Sequence, residues 1–238
     1  MSRHSPRLSH AGRFMMAVPL RLVIFDCDGV LVDSEGLSQQ VVLAEAARLG
    51  WRIDPAVAVS FTGRRWTDLQ PVFEAGSGRA LGAGWPLHMQ TNLLALMQNG
   101  ISAVPGAVEA LRTTAALGLP YRIASNSSHE EMAAKFAAVG LTELVTGRVH
   151  SAKDVGVGKP APDLFLATAA AAGVKPASCL VVEDSKPGVT AALAAGMRCV
   201  AYAPHGDPFG LAALGATLIT SLFELPTLLR VTLLENAA

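Results

Sequence analysis

Two aspartates separated by one residue, Asp26 and Asp28, directly follow the apolar run Leu22–Phe25. The run is typical of a buried strand, and Gly29 indicates that the chain turns soon after it. Two carboxylates this close repel each other unless something positive lies beside them. Because hard divalent cations prefer oxygen ligands, the pair favours Mg²⁺ or Ca²⁺ over Zn²⁺. A solvated Asp-x-Asp-Gly turn is the alternative interpretation.

Further polar residues end two other predicted strands. Ser125 and Asn126 follow one apolar run, and Glu183 and Asp184 follow another, while Lys159 precedes the helix that leads to the second run. Parallel strands bring their carboxyl ends to one edge of a sheet, so these groups can converge. Carboxylates for a metal ion, a lysine and a hydroxyl for phosphate oxygens, and a carboxylate nucleophile together indicate phosphoryl transfer.

Each of these motifs also has a purely structural interpretation. The segment Ser125–Ser128 can cap the helix that follows it, and the two prolines after Lys159 can simply stiffen a loop. The pair Glu183 and Asp184 can be a solvated strand end. None of these interpretations explains why all the motifs fall on one edge of one sheet.

The elements that must position these residues alternate between strand and helix after residue 101. The pattern predicts helices at 106–117, 129–139, 163–172 and 187–195, and strands at 121–125, 144–149, 179–183, 198–203 and 217–219. Such alternation is typical of an α/β fold with a doubly wound parallel sheet, a Rossmann-like core.

Between the first strand and this alternating region, residues 34–100 contain predicted helices and no convincing strand. We expect a helical cap, or lid, inserted over the carboxyl end of the first strand, where open α/β sheets bind ligands. The expected domains are therefore a core of residues 19–33 and 101–238 and a cap of residues 34–100. Residues 1–18 are expected to form a disordered tail.

Composition excludes several classes of partner. The 19 basic and 19 acidic residues give no net charge, so nothing draws the whole protein towards nucleic acid or a membrane surface. No apolar stretch approaches the roughly 18 residues of a membrane span. The three cysteines form no close-spaced pair, which favours a reducing, cytoplasmic location. A monomer or small homo-oligomer is expected.

Taken together, the motifs resemble the haloacid dehalogenase-like hydrolase superfamily, and more narrowly its β-phosphoglucomutase and sugar-phosphatase branch. The resemblance covers most of the chain and is carried by Asp26–Glu35, Ser125–Asn126, Lys159–Asp163 and Val182–Ser185. It implies that Asp26 is a nucleophile that forms an aspartyl-phosphate. It further implies that Asp28 protonates the leaving oxygen and then activates water, for which we expect a raised pKa.

The same resemblance implies a ligand set for Mg²⁺ and for phosphate. Asp26, the backbone carbonyl of Asp28 and Asp184 would bind the metal, with Glu183 in or near that shell. Because consecutive residues of an extended chain point in opposite directions, we expect Asp184 rather than Glu183 to be the direct ligand. Phosphate would be bound by Ser125, Asn126 and Lys159.

Substrate choice is expected to depend on the cap. A mutase would carry a serine-arginine pair near residues 61–69; that pair is absent, but Arg64 and Arg65 can bind an anionic group, unless they are simply solvated. We therefore expect a phosphatase for a small phosphorylated metabolite: a sugar, sugar-acid or polyol phosphate. A phosphomutase and a catalytically inactive binding protein are the alternatives. A dehalogenase would not need Asp28, and a phosphonatase would need a cap lysine, which residues 34–100 lack.

Overall fold

The computed structural model describes residues 18–61, 64–97, 100–207 and 209–235. Apart from Val18, the predicted tail lies outside the described residues, as do Thr62 and Gly63 beside the arginine pair.

Within the described residues, eight short strands form a six-stranded sheet and a separate two-stranded pair. The strands are β1 (Leu22–Phe25), β2 (Val32–Asp33), β3 (Ser102–Ala103), β4 (Tyr121–Ser125), β5 (Val149–Ser151), β6 (Cys179–Glu183), β7 (Arg198–Tyr202) and β8 (Thr217–Ile219). The large sheet has the order β5-β4-β1-β6-β7-β8 and is parallel throughout. Strands β4, β1 and β6 are therefore neighbours, and their carboxyl ends meet at one edge.

Twelve α-helices occur among the described residues, and those that follow β3 cover both faces of the large sheet. They are α1 (Glu35–Arg48), α2 (Pro55–Val59), α3 (Trp66–Ser77), α4 (Trp85–Met97), α5 (Ala107–Ala116), α6 (His129–Ala138), α7 (Thr142–Val145), α8 (Ala152–Val155), α9 (Asp163–Ala171), α10 (Lys186–Ala194), α11 (Leu211–Leu214) and α12 (Leu225–Glu235). In β1, Val23 and Phe25 join one hydrophobic cluster, while Leu22 and Ile24 join the cluster on the opposite face. Burial on both faces explains why this strand is a continuous apolar run.

The predicted strand at 144–149 is wrong. Residues 142–145 form the short helix α7, and the strand β5 begins only at Val149. Gly147 has a φ of +73°, a conformation that interrupts an extended strand. Tyr121 also fixes the turn by donating to the carbonyl of Leu144 at 2.8 Å. Val145 packs against the core from this helical turn instead.

Helices α1–α4, here called the helical insert, have a hydrophobic cluster of their own. The buried ring of Phe73 lies at its centre, with ring centroids 5.2 Å from Trp51 and 4.9 Å from Trp85. The chain enters and leaves the insert through the antiparallel pair β2–β3, where Val32 pairs with Ala103. The predicted fold class, an α/β parallel sheet with an inserted helical cap, is confirmed; the bounds assigned to the domains stay a prediction.

No helix among the described residues is both long enough and apolar enough to cross a membrane.

Candidate active site

Asp26 directly follows β1 at the centre of the sheet edge and is only 6% exposed. Its backbone N–H donates to the carbonyl of Val182 at 2.9 Å, which ties it to β6. Its Oδ1 accepts a hydrogen bond from Lys159 Nζ at 2.5 Å, and the same ammonium donates to Glu183 Oε1 at 2.5 Å. One buried lysine therefore joins the carboxylates that end two neighbouring strands.

Asp26, Glu183 and Asp184 form a compact carboxylate cluster, in which one oxygen of each lies within 4.8 Å of the others; no other cluster of this kind occurs among the described residues. Lys159 is the lysine paired with two of these three carboxylates, so it offsets only part of their charge. A donor set made of oxygen atoms, with excess negative charge, fits a hard divalent cation such as Mg²⁺. The predicted ligands Asp26, Glu183 and Asp184 are thus brought together.

Glu183 is held in this cluster by several protein donors. It is fully buried, with Lys159 on Oε1 and three donors on Oε2: the backbone N–H groups of Asp184 and Ser185 and the hydroxyl of Ser185. A Cβ added to Gly188 would lie 1.9 Å from this carboxylate, so the group fits only because residue 188 is glycine. Both oxygens of Glu183 therefore already have protein donors.

Two charged groups of this site, Asp26 and Lys159, have shifted pKa values. Burial, together with Glu183 and Asp28, raises the pKa of Asp26 to about 7 although Lys159 opposes the shift. Burial disfavours the charged form of Lys159, but the carboxylates of Asp26 and Glu183 outweigh it and raise the pKa of that lysine. Without a further cation, Lys159 does not keep Asp26 fully ionised near neutral pH.

Asp28 lies in a second, separate set of hydrogen bonds. Its Oδ1 accepts from Ser34 and from Lys135 Nζ, the latter at 2.5 Å. Its Oδ2 accepts from Ser127 at 2.9 Å and more weakly from Ser125 at 3.3 Å. The carboxylate of Asp28 is therefore bound by residues of α6 and of the segment that follows β4, and it is not part of the carboxylate cluster.

The expected raised pKa of Asp28 is contradicted by the structure. Burial alone would raise it, but the charge of Lys135 and the hydrogen bonds from Lys135, Ser34 and Ser127 outweigh burial and lower the pKa. The reciprocal attraction by Asp28 raises the pKa of Lys135 to about 12, against the effect of burial. The sequence analysis placed no cation beside Asp28, which is why it predicted the wrong direction.

Lys135 lines the pocket and pairs with Asp28, but no sequence motif pointed to it. It lies in α6, only 2% exposed, between the buried residues Met132 and Phe136. A signal was available, because spacings of three and four residues put Met132, Lys135 and Phe136 on one helix face. A lysine on the apolar face of a helix that follows a predicted site is a candidate for a buried partner.

Ser125 and Asn126 also lie in the site, but in roles that differ from each other. Ser125 is buried and contacts Asp28, as described above. The side-chain amide of Asn126 accepts from the backbone N–H of Lys159 at 2.8 Å and donates to the Lys159 carbonyl at 3.3 Å. Asn126 thus clamps the backbone that carries Lys159, and its predicted contact with phosphate stays a prediction.

Gly29 allows the turn after the aspartate pair to pass beside Asp184. It has a φ of +78°, and a Cβ at this position would lie 1.9 Å from Asp184 Oδ2. Any other residue would therefore meet both backbone strain and a clash with a carboxylate of the site.

The helical insert closes the other side of the pocket above the sheet edge. Arg64, Arg65 and Trp66 line this pocket together with Asp26 and Lys159. The two arginines differ: Arg65 makes a two-bonded pair with Asp68 at 2.8 and 2.9 Å, whereas the guanidinium of Arg64 lies 5.8 Å from the centre of the Phe61 ring.

One hydrogen bond joins the insert directly to the core beside the pocket. Gln90 of α4 donates to the hydroxyl of Ser128 at 3.2 Å. Ser128 is the N-cap of α6, where its side chain and that of Glu131 form a capping box. The insert therefore touches the first turn of the helix that carries Lys135.

Comparison with known proteins identifies the family. The family model for haloacid dehalogenase-like hydrolases matches residues 20–196. Hexitol phosphatase A of Escherichia coli is 33% identical over 186 residues, covering 78% of this chain and 84% of that protein. The chain spans only 17% and 47% of the length of two longer curated relatives from Arabidopsis thaliana.

Solved structures give the same result. A HAD family hydrolase from Deinococcus radiodurans, solved with bound phosphate and sodium, is 35% identical with a TM-score of 0.73, covering 90% of this chain and 96% of its own. The β-phosphoglucomutase of Clostridium difficile is 20% identical, covers 92% of this chain and 99% of its own, and has a TM-score of 0.77; it shows likeness of fold.

Proposed function

This chain belongs to the haloacid dehalogenase-like hydrolases, and we propose that it is a Mg²⁺-dependent phosphatase for a small phosphorylated metabolite. The observation that carries the proposal is the division of the Asp-x-Asp pair. Asp26 lies in a carboxylate cluster beside Lys159, while Asp28 has its own set of donors. A nucleophile and a proton-transfer group need such different surroundings. The hexitol phosphatase named above supports the substrate class: a sugar, sugar-acid or polyol phosphate.

Asp26, Asp184 and the backbone carbonyl of Asp28 are the proposed metal ligands, with Glu183 beside them. Because consecutive residues of an extended chain point in opposite directions, we propose Asp184 rather than Glu183 as the direct ligand. When bound, Mg²⁺ would offset the negative charge that builds up where a carboxylate approaches a phosphate.

In the first step, a carboxylate oxygen of Asp26 attacks phosphorus and the bond from phosphorus to the substrate oxygen breaks. The product of this step is an aspartyl-phosphate, and the leaving oxygen takes a proton from Asp28. The lowered pKa of Asp28 means that it must first gain this proton. The negative charge of the incoming phosphate favours protonation of Asp28, because a nearby anion destabilises an ionised carboxylate.

In the second step, water attacks phosphorus and gives its proton to Asp28, which releases inorganic phosphate and restores Asp26. The ionised form of Asp28, favoured by its lysine and hydroxyl partners, is the form that this step requires.

Ser125 and Lys159 are proposed to bind the phosphate oxygens. The ammonium of Lys159 has three donors, one more than its two carboxylates use. Asn126 holds the backbone of Lys159 in place through its hydrogen bond to the Lys159 N–H.

The insert is proposed to select the rest of the substrate. Arg64 is the better candidate for an anionic or polar distal group, since the charge of Arg65 is already paired with Asp68. Trp66 also lines the pocket and offers an apolar surface beside Arg64 and Arg65.

The test is a screen of phosphorylated sugars, sugar acids and polyols with Mg²⁺, in which inorganic phosphate is measured for the wild type and for Asp26→Asn. We expect release from one chemical class by the wild type and none by the variant. Release that persists in Asp26→Asn would contradict the nucleophile. Isomerisation of a sugar phosphate with little free phosphate would instead identify a mutase.

A further inference from the structure

We propose that Lys135 is a positioning residue for catalysis, which fixes the carboxylate of Asp28 where it can reach the leaving oxygen and the attacking water. The inference rests on the proposed phosphatase function and assigns to it a residue from outside the sequence motifs. It starts from a contact: Lys135 Nζ lies 2.5 Å from Asp28 Oδ1 and 2.8 Å from the hydroxyl of Ser127.

The geometry holds Asp28 at both of its oxygens. Lys135 and Ser34 bind Oδ1, and Ser127 binds Oδ2, so rotation of the carboxylate would break several bonds at once. Ser127 is itself fixed, because its carbonyl accepts from the hydroxyl of Ser151 at 2.7 Å. Lys135 connects the two sides of this set, since it donates to both Asp28 and Ser127.

Lys135 is itself held in place by α6. Its neighbours on the helix face, Met132 and Phe136, are buried, and the lysine side chain is itself only 2% exposed. The capping box of Ser128 and Glu131 fixes the start of the same helix. A long side chain packed along its length loses little further freedom when its head group binds.

Among the described residues, Lys135 is the one lysine that pairs with Asp28. Lys159 pairs instead with Asp26 and Glu183. Each member of the aspartate pair therefore has its own buried lysine, and the two ion pairs pull the carboxylates apart. Misplacement of a reacting group by about 1 Å can cost on the order of 10²-fold in rate. Loss of Lys135 should therefore reduce turnover while leaving the phosphate-binding residues in place.

The experiment compares Lys135→Met with Asp28→Asn and with the double variant. Lys175→Met, which removes an exposed lysine far from the pocket, is the matched control for charge, and Lys135→Gln replaces Lys135→Met if the latter does not fold. On the best alkyl phosphate we expect Lys135→Met to lower kcat about 10²-fold with little change in KM. The double variant should lose no more than Asp28→Asn alone, since Lys135 acts through Asp28.

A second measurement separates positioning from a structural role. Nitrophenolate leaves without protonation, so Asp28→Asn should lower kcat/KM less for p-nitrophenyl phosphate than for an alkyl phosphate. Lys135→Met should show the same preference. Equal losses on both esters, or losses that multiply in the double variant, would overturn the inference alone. If the wild type releases phosphate from no ester, the proposed function and this inference both fail.

Discussion

The sheet edge and the helical insert line the same pocket, yet they hold their charged side chains in opposite ways. At the sheet edge, Lys159 pairs with Asp26 and Lys135 pairs with Asp28, each at 2.5 Å, and both lysine side chains are buried. In the insert, Arg64 is exposed, and the pair between Arg65 and Asp68 is largely open to solvent. Buried pairs are costly to break and hold a fixed geometry, whereas exposed ones contribute little and rearrange readily. Under the proposed function, this difference would separate a rigid reacting centre from an adaptable region that selects the substrate.

The largest effect should come from Asp26→Asn. The amide is a poor nucleophile, so phosphate release should fall by at least about 10³-fold. Asp207→Asn is the matched control, because that aspartate caps α11 through backbone contacts outside the pocket. Phosphate release is measured at saturating substrate. A similar loss of phosphate release in Asp26→Asn and Asp207→Asn would contradict a special role for the sheet edge.

Metal removal should be the next largest effect. Chelation with EDTA is expected to abolish turnover, and Mg²⁺ should restore it, because one lysine cannot neutralise three carboxylates. Asp184→Asn should raise the Mg²⁺ concentration needed for half of the activity by about tenfold, given the loss of one charged ligand. A Mg²⁺ titration of the melting temperature gives an independent readout, since a bound ion stabilises the folded state. Full activity in EDTA would refute the metal site.

Charge removal in the insert should act on binding. Arg64→Met is expected to raise KM for an anionic substrate by about tenfold, equivalent to about 1.4 kcal/mol, with kcat nearly unchanged. Arg65→Met is the internal comparison and should have a smaller effect, because Asp68 already pairs with that arginine. Unchanged KM and kcat in both variants would show that the arginines do not select substrate.

The smallest effect concerns the stability of the insert. Glu45 accepts from Arg48 at 2.6 Å and from the buried indole N–H of Trp85 at 2.7 Å. The hydrogen bonds from Arg48, against the effect of burial, hold the pKa of Glu45 below its usual 4.5. Glu45→Gln keeps the shape and removes the charge, so we expect it to lower the free energy of unfolding by up to about 1 kcal/mol at pH 7.

The sign of the pH dependence follows from that shift. Because the folded-state pKa of Glu45 lies below the unfolded-state value, its stabilisation is complete above pH 4.5 and is lost as the pH falls through the lowered value. Urea unfolding at several pH values should show the wild type and Glu45→Gln converging in acid. A difference that grows as the pH falls would contradict the assignment.

Much of the sheet edge could be predicted from the sequence because its signals are local. The apolar run before Asp26, and the polar residues that end β4 and β6, identify strands and the edge where their side chains meet. The contact between Asp28 and Lys135 could not be predicted in this way. The two residues are 107 positions apart, and only the packing of α6 beside β4 and β5 brings them together.

The insert was harder to predict in a different sense. Its helices follow from local patterns, but the unequal roles of Arg64 and Arg65 depend on Asp68, one helical turn away. The sequence alone shows two adjacent arginines with equal charge. The error at residues 144–149 has the same origin, because β-branched and aliphatic residues suit a strand or a buried helical turn.

Gly29 and Gly188 have an evolutionary consequence. Each leaves room for one carboxylate of the cluster, Asp184 and Glu183 respectively, so a gene copy that gains alanine at either position should lose the geometry in one step. A contact of 1.9 Å is relieved only if the carboxylate itself moves away, so regaining the geometry would need reversion at that codon. In gene copies that drift after duplication, replacement of these glycines should therefore mark the loss of phosphatase chemistry even where every acidic residue is retained.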